Sequence, residues 1–412
     1  MGERTVSTSR MPRWLQGTDG WLLLAVVILA LWGLVMVYST GAEVEVLRTP
    51  QGAAIDPLAL FRRQAMFVAV GAALAVLLAA IDYRRWERWA PLVLIGTWLA
   101  LLAVLVLSRL SGGVGRFLLG GSFQPSEIAK VATVFYLAVW LARRGEKIND
   151  REYGLMPLGF LVGISGGLVM LEPDFSAAAT IVGIGFLMFF LAGGSLRQLL
   201  LVVVAAVAGG ALVVLFYPQG LSRWSGYVAG LRDPRQAAYQ IRLAMAAVSR
   251  GGLLGVGPGQ SQLKVSGLPL AHTDSVFAVV AEEFGLVGAT VMIFLFGVVV
   301  WRGIGIALRA PDRYGRLLAG GLALWLGLEA FANMAMIVNV LPLGGNTLPL
   351  ISYGGSSLVT TLVAVGLLQS VARASARTQQ AERSDTGAVV SLRGRDRRRR
   401  VSRAVRSASV RR

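Results

Sequence analysis

Two residues suited to acid–base chemistry, His272 and Asp274, flank Thr273 in the sequence. They stand just before a long apolar stretch, and Glu282 and Glu283 follow about two helical turns later. A carboxylate at such a position can accept the proton of a substrate hydroxyl group. The alternative is structural: Asp274 would be the N-cap of the helix that the apolar stretch forms, and His272 a polar residue at its boundary. Spacing alone leaves both interpretations open.

Further upstream, Glu127 and Lys130 are three residues apart at the beginning of another apolar stretch. This spacing places both side chains on one face of a helix, where they could form an ion pair. The pair is either a structural link between two helices or part of a functional site. The glycine-rich segment before it contains Arg116, and glycine-rich backbone leading into a helix suits anion binding. Lys264, shortly before His272, adds a second lysine near the candidate acid–base residues.

Other polar groups interrupt the apolar sequence. Asp174 lies directly before an apolar stretch, a position that is more often a helix cap than a catalytic one. Glu329 and Asn333 are four residues apart and therefore share one face of an otherwise apolar helix. The run NTLPLISYGGSSL is rich in hydroxyl groups and glycine, and it contains Ser352 and Ser356. These groups could all line one polar cavity.

Apolar blocks of about 20 residues separate these polar groups, which is the length a transmembrane helix requires. The chain has 412 residues, of which 55% are hydrophobic and 15% charged, and its mean hydropathy is +0.64. This composition predicts an all-α integral membrane protein. The ten predicted spans are 20–40, 65–81, 89–108, 126–142, 155–171, 176–192, 198–216, 275–301, 317–341 and 351–372.

Basic residues are distributed unequally between the two sets of loops that these spans create. One set contains 12 lysines and arginines and the other contains 5, so the positive-inside rule places the first set in the cytoplasm. Both termini, including the N-terminal segment 1–19, are then cytoplasmic. The membrane domain is predicted to cover 20–372, and its long loop 217–274, between spans seven and eight, to be extracytoplasmic. The polar groups described above then face the outer side.

The C-terminal segment 373–412 contains 13 arginines against three acidic residues. It is of low complexity and is predicted to be a disordered cytoplasmic tail. Basic segments beside a membrane are attracted to anionic lipid head groups. Lipid or partner-protein docking is favoured over nucleic-acid binding, so we expect no nucleic-acid partner.

The composition also excludes several classes of chemistry. The chain contains no cysteine, which rules out disulfides, thiol catalysis and cysteine-ligated metal sites. It contains a single histidine, so a histidine-cluster metal site is excluded as well. We therefore predict no protein-built metal site.

In order along the chain, these segments resemble the SEDS family (shape, elongation, division and sporulation proteins), which includes FtsW, RodA and SpoVE. The resemblance extends from span four to span ten, on a ten-span pattern with a large outer loop. The SYGGSSL run and the basic tail favour the FtsW branch, although the other branches share most motifs. The matching runs are GRFLLGGSFQPSEIAK (115–130), EPDF (172–175), SRGGLLGVGPGQSQLK with GLPLAHTDSVFAVVAEEFG (249–285) and LPLISYGGSSL (348–358).

The resemblance implies an enzyme that polymerises peptidoglycan glycan strands from lipid II at the outer face of the bacterial cytoplasmic membrane, during division or elongation. In that family the aspartate of the His-Thr-Asp run is the proposed catalytic residue, which here is Asp274. The undecaprenyl pyrophosphate leaving group needs positive charge, which Arg116 and Lys130 would supply. A divalent cation, Mg²⁺ or Mn²⁺, could share that work. The candidate substrate-binding residues are Arg116, Glu127, Lys130, Lys264, His272, Thr273, Ser352 and Ser356.

The resemblance also implies partners. Family members work with a class B penicillin-binding protein, a transpeptidase, and we expect it here together with other divisome or elongasome proteins. This chain departs from the family pattern at Phe117, where tryptophan is usual, and at Glu172, Ser176 and Ser275. The loop before SYGGSS also lacks a lysine that is often found there. These departures affect the expected substrate contacts more than the catalytic residue.

Three alternative functions remain at this point. A flippase for the lipid-linked precursor is one, although a transporter would place polar groups across the whole membrane depth. A non-catalytic scaffold of the division or elongation complex is the second, and it would leave the intramembrane charges without a purpose. O-antigen ligases and other membrane glycosyltransferases with polyprenyl pyrophosphate donors are the third, but the His-Thr-Asp and SYGGSS runs favour the SEDS family.

Overall fold

The computed structural model describes residues 17–48, 58–110, 123–216, 218–265 and 267–408. Helices dominate because the bilayer core offers the backbone no hydrogen-bonding partner, and a helix satisfies those groups within its own segment. The helices are α1 (Gly20–Arg48), α2 (Ala59–Ala80), α3 (Ala90–Leu110), α4 (Pro125–Arg144), α5 (Met156–Leu171), α6 (Phe175–Leu191), α7 (Leu196–Phe216), α8 (Pro218–Arg232), α9 (Tyr239–Gly251), α10 (Gln262–Val265), α11 (Val276–Arg309), α12 (Arg313–Ile337) and α13 (Gly355–Ala408).

Each of the ten predicted spans overlaps one of these helices, namely α1–α7 and α11–α13. Within the described part of the chain, eight are long and apolar enough to cross a membrane, while α6 and the Leu196–Gly210 part of α7 are shorter apolar helices. An all-helical protein with several membrane spans is thereby confirmed. The count of ten, the direction of each span and the cytoplasmic placement of both termini stay predictions.

Three helices form the centre of the bundle. In the most apolar stretch of each helix, 78% of the residues are buried in α4 and in α13 and 67% in α12, against only 11% in α2. Helix α12 packs against α4, α6, α11 and α13, so it connects the two halves of the chain. Helix α2 packs against α13 through Gly366, where an added Cβ would lie 2.6 Å from the carbonyl oxygen of Ala75. The charged residues of α4 and α12 therefore lie in the most enclosed part of the protein.

Helix α11 is two helices joined at a kink. Gly285 has a φ of 67° and a ψ of −166°, which breaks the helical path. The part after the kink, 286–309, is about 36 Å long at ~1.5 Å per residue, enough to cross a ~30 Å hydrocarbon core by itself. The predicted span 275–301 therefore begins too early, because sequence hydropathy does not reveal the kink. The shorter part, 276–284, carries Glu282 and Glu283 and belongs to the polar end of the bundle.

The predicted outer loop 217–274 is largely helical. It contains α8, α9 and α10, and its 252–257 segment docks on the kink of α11 by backbone hydrogen bonds of 2.9–3.2 Å. Two of these run from the N–H groups of Leu286 and Val287 to the carbonyl groups of Gly252 and Leu253. The loop is therefore anchored to the helix that follows the His-Thr-Asp run.

Helix α13 continues beyond the predicted end of the membrane domain at residue 372. Arg373 is buried and donates a hydrogen bond of 2.7 Å to the carbonyl oxygen of Ala79, and Ser375 is buried as well. The structure then continues the helix to Ala408, where the sequence analysis expects disorder. Arginine and alanine are good helix formers and this segment has no proline, which explains a helical path.

Two clusters of polar contacts close the bundle at the end remote from the His-Thr-Asp run. Asp19 caps α1 and accepts three hydrogen bonds from the Arg302 guanidinium, the shortest at 2.6 Å. Asp312, the N-cap of α12, accepts hydrogen bonds from Tyr83 (2.5 Å) and Arg84 (2.7 Å). Burial by itself raises the pKa of Asp312, but the hydrogen bonds from Tyr83, the Gly315 N–H and Arg84 outweigh it and hold that pKa below its usual value.

Candidate active site

Asp274 lies in a tight turn between α10 and α11, called here the Asp274 turn (residues 269–275). Leu270 has a φ of 53°, in the left-handed region, and its carbonyl oxygen accepts the N–H of Ser275 at 3.1 Å. The buried Ser275 hydroxyl accepts a hydrogen bond of 2.8 Å from Gln240 of α9. Ser275, and not Asp274, occupies the N-cap position of α11. The interpretation of Asp274 as that N-cap is therefore wrong, and the side chain of Asp274 is half-buried.

Asn333 attaches this turn to the centre of the bundle. Its side-chain amide donates hydrogen bonds to the backbone carbonyl of Asp274 at 3.0 Å and to that of Asn346 at 2.6 Å. The side chain of Asn346 in turn donates to the backbone carbonyl of Glu329 at 3.2 Å, one turn away on α12. Both asparagines are buried. The amide of Asn333 thus connects the backbone of Asp274 to α12.

Residues 346–357, which lead into α13 and include its first three residues, are called here the SYGGSS segment, and they hold the Asp274 turn from a second side. The Ser352 hydroxyl donates to the carbonyl oxygen of Thr273 at 2.6 Å and accepts the N–H of Leu348 at 2.8 Å. The backbone N–H of Tyr353 donates to the carbonyl of His272 at 2.8 Å, and their rings are 5.8 Å apart. The two runs that the sequence singles out are therefore in direct contact.

The beginnings of α4, α6 and α13 meet beside this segment. The backbone N–H of Gln124 donates to the Ser356 hydroxyl at 2.8 Å, and its side-chain amide donates to Asp174 at 2.9 Å. Asp174 also accepts the hydroxyl of Ser126 at 3.2 Å and the N–H of Ala177 at 3.2 Å. Asp174 is the N-cap of α6, as the sequence predicts, and it links α6 to α4 in addition.

Lys130 forms a buried ion cluster that joins α4 to α12. Its ammonium group donates to Glu127 at 2.8 Å and also forms a short ion pair with Glu329. All three side chains are buried, and Lys130 and Glu329 are 0% exposed. A cation enclosed between two carboxylates is held by them and is not presented at a surface. The geometry therefore favours the structural alternative for the Glu127–Lys130 pair over direct contact with a diphosphate.

Lys264 lies in a different buried cluster, formed with α1 and α11. Its ammonium group donates to Glu283 at 3.0 Å and to the hydroxyl of Ser39 at 2.8 Å. The neighbouring Glu282 accepts the hydroxyl of Ser261 at 2.5 Å. These contacts fasten α10 and its flanking loop to the short helix that follows Asp274. Lys264 and the two glutamates thus support the shape of the loop.

The structure brings together most of the predicted site residues. His272, Thr273, Asp274, Ser352 and Ser356 belong to one connected group of turns. Glu127 and Lys130 are connected to this group through Glu329 and Asn333. Arg116 lies outside the described residues, so its predicted role stays a prediction.

Three side-chain amides that the sequence analysis does not single out are central to the site, two of them buried and that of Gln124 half-buried. Gln124 and Asn346 are described above, and the side chain of Gln64 in α2 donates to the carbonyl of Ser352 at 3.1 Å. Gln64 is a single uncharged polar residue at the start of an apolar helix, and Gln124 directly precedes the proline that begins α4. A polar residue at the start of a membrane helix is costly unless it is paired, so these two positions are signals in the sequence that Gln64 and Gln124 have hydrogen-bonding partners.

No group of three histidine, cysteine or acidic side chains comes close enough to hold a metal ion among the residues that the structure describes. The half-buried Asp274 carboxylate is one oxygen ligand of the kind that Mg²⁺ and Mn²⁺ accept. A site with few protein ligands fits these ions only when a substrate contributes phosphate oxygens.

Comparison with known proteins gives the family. Residues 20–377 match the family model of cell cycle proteins that includes FtsW, RodA and SpoVE, and the chain belongs to this family. The probable peptidoglycan glycosyltransferase FtsW of Geobacter sp. (strain M18) is 34% identical over 87% of this chain and 98% of its own length. Stage V sporulation protein E of Bacillus subtilis (strain 168) is 34% identical over 85% of this chain and 96% of its own length.

Solved structures share the fold. A chain from a peptidoglycan synthase complex that coordinates polymerization and crosslinking aligns with a TM-score of 0.69 and 30% identity, over 87% of this chain and 98% of that one. The rod shape determining protein RodA of Thermus thermophilus aligns with a TM-score of 0.63 and 29% identity, over 88% of this chain and 98% of that one. The resemblance that the sequence analysis describes is thereby confirmed.

Proposed function

We propose that this protein is a peptidoglycan glycosyltransferase that polymerises glycan strands from lipid II at the outer face of the bacterial cytoplasmic membrane. The observation that carries the proposal is the position of Asp274 in a rigid turn, held by Asn333 from one side and by the SYGGSS segment from the other. Relatives over nearly the whole chain bear the name peptidoglycan glycosyltransferase. Septal localisation is part of the same proposal.

Asp274 is proposed as the general base. Its carboxylate accepts the proton of the acceptor sugar hydroxyl, whose oxygen forms a bond to the anomeric carbon of the donor. The bond between that carbon and the diphosphate oxygen breaks, and undecaprenyl pyrophosphate leaves with the electron pair. A carboxylate fixed within hydrogen-bond reach of its substrate contributes about 10²–10⁴-fold to such a step. The backbone contacts of the Asp274 turn serve this purpose because they fix the position of the turn.

The leaving diphosphate needs positive charge, for which Arg116 is the proposed source. Lys130 is enclosed by Glu127 and Glu329, so its proposed part is to hold α4 and α12 together behind the site. When bound, a divalent cation would neutralise diphosphate charge, and Asp274 together with substrate oxygens would hold it. The contribution of the chain is to orient the acceptor and remove its proton.

A class B penicillin-binding protein is the proposed partner. A chain that aligns with this one comes from a peptidoglycan synthase complex, which couples polymerization to crosslinking. A polymerase that releases its product at the outer face of the cytoplasmic membrane needs a transpeptidase on the same side of that membrane. Further divisome or elongasome proteins are proposed to bind the cytoplasmic segments.

The test is polymerisation of labelled lipid II by the purified protein with its cognate transpeptidase. Asp274→Ala is expected to abolish polymer formation while the thermal unfolding midpoint stays unchanged. The matched control is Asp233→Asn, since Asp233 lies in the same loop and Asn also caps the short helical turn that it begins. Undiminished polymer from Asp274→Ala would overturn the proposal. If Asp274→Ala forms no polymer but lipid II still crosses the membrane of vesicles that contain it, the flippase alternative would be favoured.

A further inference from the structure

A basic pocket lies at the opposite end of α4 from Gln124 and the site described above. Its volume is about 670 Å³, and it is lined by Arg84, Arg85, Glu87, Arg88 and Arg143. Four arginines face one glutamate, so the pocket has a strong positive surplus. This volume lies within the range of ~300–1,000 Å³ that is typical of small-ligand sites.

The positive charge of the pocket is only partly compensated. Glu87 is neutralised by Arg143, whose guanidinium donates to it at 2.9 and 3.2 Å. Arg84 pairs with Asp312 at 2.7 Å. The guanidinium group of Arg85 makes no hydrogen bond or ion pair with any described residue, and that of Arg88 only stacks on the Trp89 ring. Two guanidinium groups are thus left to bind an anion.

The walls of the pocket are fixed. The 3-10 helix Tyr83–Trp89 carries three of the arginines, and the Asp82 side chain caps it by accepting the N–H of Arg84 at 3.0 Å. The Glu87–Arg143 pair ties this short helix to the end of α4. The backbone that carries these arginines is therefore held in place before any ligand arrives, which reduces the entropy cost of binding.

The surroundings of the pocket are those of a membrane boundary. The 3-10 helix runs directly into α3, whose first turns expose apolar side chains, with Leu92 60% and Ile95 48% exposed. Trp89, 47% exposed, lies between the arginines and these apolar residues. Tryptophan is enriched at this depth in membrane proteins. A ligand with a charged head and apolar chains would contact the pocket and α3 at the same time.

We propose that this pocket binds the phosphate group of an anionic phospholipid from the adjacent leaflet, with the acyl chains along α3. Guanidinium groups bind phosphate oxygens by paired hydrogen bonds, and basic pockets between transmembrane helices are suited to anionic head groups. The apolar face of α3 favours a lipid over a free phosphate, which would use only the arginines. The site is separate from the basic tail and does not depend on the catalytic proposal.

The test measures lipid binding by the wild type and two double variants in detergent. Binding of phosphatidylglycerol is compared with binding of phosphatidylcholine, and native mass spectrometry detects the bound lipid. Arg85→Gln with Arg88→Gln is expected to lower phosphatidylglycerol affinity about 25-fold, since each arginine contributes about fivefold. The matched control is Arg151→Gln with Arg197→Gln, which removes the same charge from exposed arginines outside the pocket. Its affinity is expected to fall less than about threefold.

Several results would overturn the proposal. An equal loss in both double variants would show attraction by overall charge, and no loss in either would show that the pocket is empty of lipid. Displacement of bound phosphatidylglycerol by millimolar inorganic pyrophosphate would assign the pocket to a free anion. Unchanged thermal unfolding midpoints without anionic lipid are expected for both variants, so a folding defect in the pocket variant would also count against this account.

Discussion

Replacing Lys130 by methionine tests whether this lysine is structural or contacts substrate. The change removes the ammonium group that lies between Glu127 and Glu329, and it leaves two carboxylates facing each other in the centre of the bundle. Breaking a buried ion pair by removing one partner typically costs about 3–5 kcal/mol. We expect Lys130→Met to lower the free energy of unfolding by that amount, because both carboxylates stay enclosed.

The assay is unfolding by SDS in mixed micelles, monitored by tryptophan fluorescence. Arg143→Met is the matched control, since it breaks an ion pair with Glu87 in which the arginine side chain is 66% exposed. Exposed pairs contribute about 0–1 kcal/mol, so the control should change little. A triple variant, Lys130→Met with Glu127→Gln and Glu329→Gln, is expected to regain most of the lost stability, because neutral groups replace all three charges.

The reasoning is refuted if Lys130→Met unfolds like the Arg143→Met control. Loss of polymerisation with unchanged stability would instead assign Lys130 to the substrate diphosphate, as the family resemblance implies. The two roles are separable because one changes the free energy of unfolding and the other only the reaction rate.

Four further outcomes are expected. Asn333→Ala should lower the polymerisation rate about tenfold or more, measured with labelled lipid II, because the Asp274 turn loses its amide donor to α12. Gly285→Ala should lower the SDS midpoint, since its Cβ would lie 2.4 Å from the backbone nitrogen of Gly255 and its φ is positive. The stability that Asp312 provides is complete above its unfolded-state pKa of ~3.9, and it is lost as the pH falls through its lower folded-state pKa. The free energy of unfolding of Asp312→Asn should therefore depend less steeply on pH in acid than that of the wild type. Removing residues 382–412 should reduce septal fluorescence of a tagged protein while polymerisation in vitro continues, and loss of both would favour the scaffold alternative.

The span pattern could be predicted because it depends on local composition. Apolar runs of about 20 residues need no tertiary information to be recognised, and every predicted span coincides with a helix. The kink in α11 escaped prediction because Gly285 is one glycine among 50, and only its backbone angles distinguish it. The helical structure of the outer loop escaped prediction because the sequence there is rich in glycine and proline, which is typical of irregular loops.

The site was predictable where residues are close along the chain. The Glu127–Lys130 pair follows from helical spacing, and Asp174 as the cap of α6 follows from its position before the helix. The partner Glu329 is distant in sequence, so spacing could not join it to Lys130. The same is true of Asn333 and the Asp274 carbonyl, which only the packing of α12 brings together.

The predicted topology connected what spacing could not. The charge asymmetry of the loops placed the His-Thr-Asp and SYGGSS runs on one side of the membrane, and the hydrogen bonds of Ser352 and Tyr353 to the Asp274 turn show that the two runs are in contact. Lys264 illustrates the opposite case. Its nearness in sequence to Asp274 suggested a substrate contact, whereas its ammonium group is buried against Glu283 and Ser39.

The measurement that tests the central claim most directly is the initial rate of lipid II polymerisation by Asp274→Asn, purified with the cognate transpeptidase. Asparagine keeps the size of the side chain and its capacity to accept a hydrogen bond, but it cannot take a proton as a carboxylate does. We expect the rate to fall by about 10²–10⁴-fold, with an unchanged unfolding midpoint. A rate within about threefold of the wild type would contradict the assignment of Asp274 as the base.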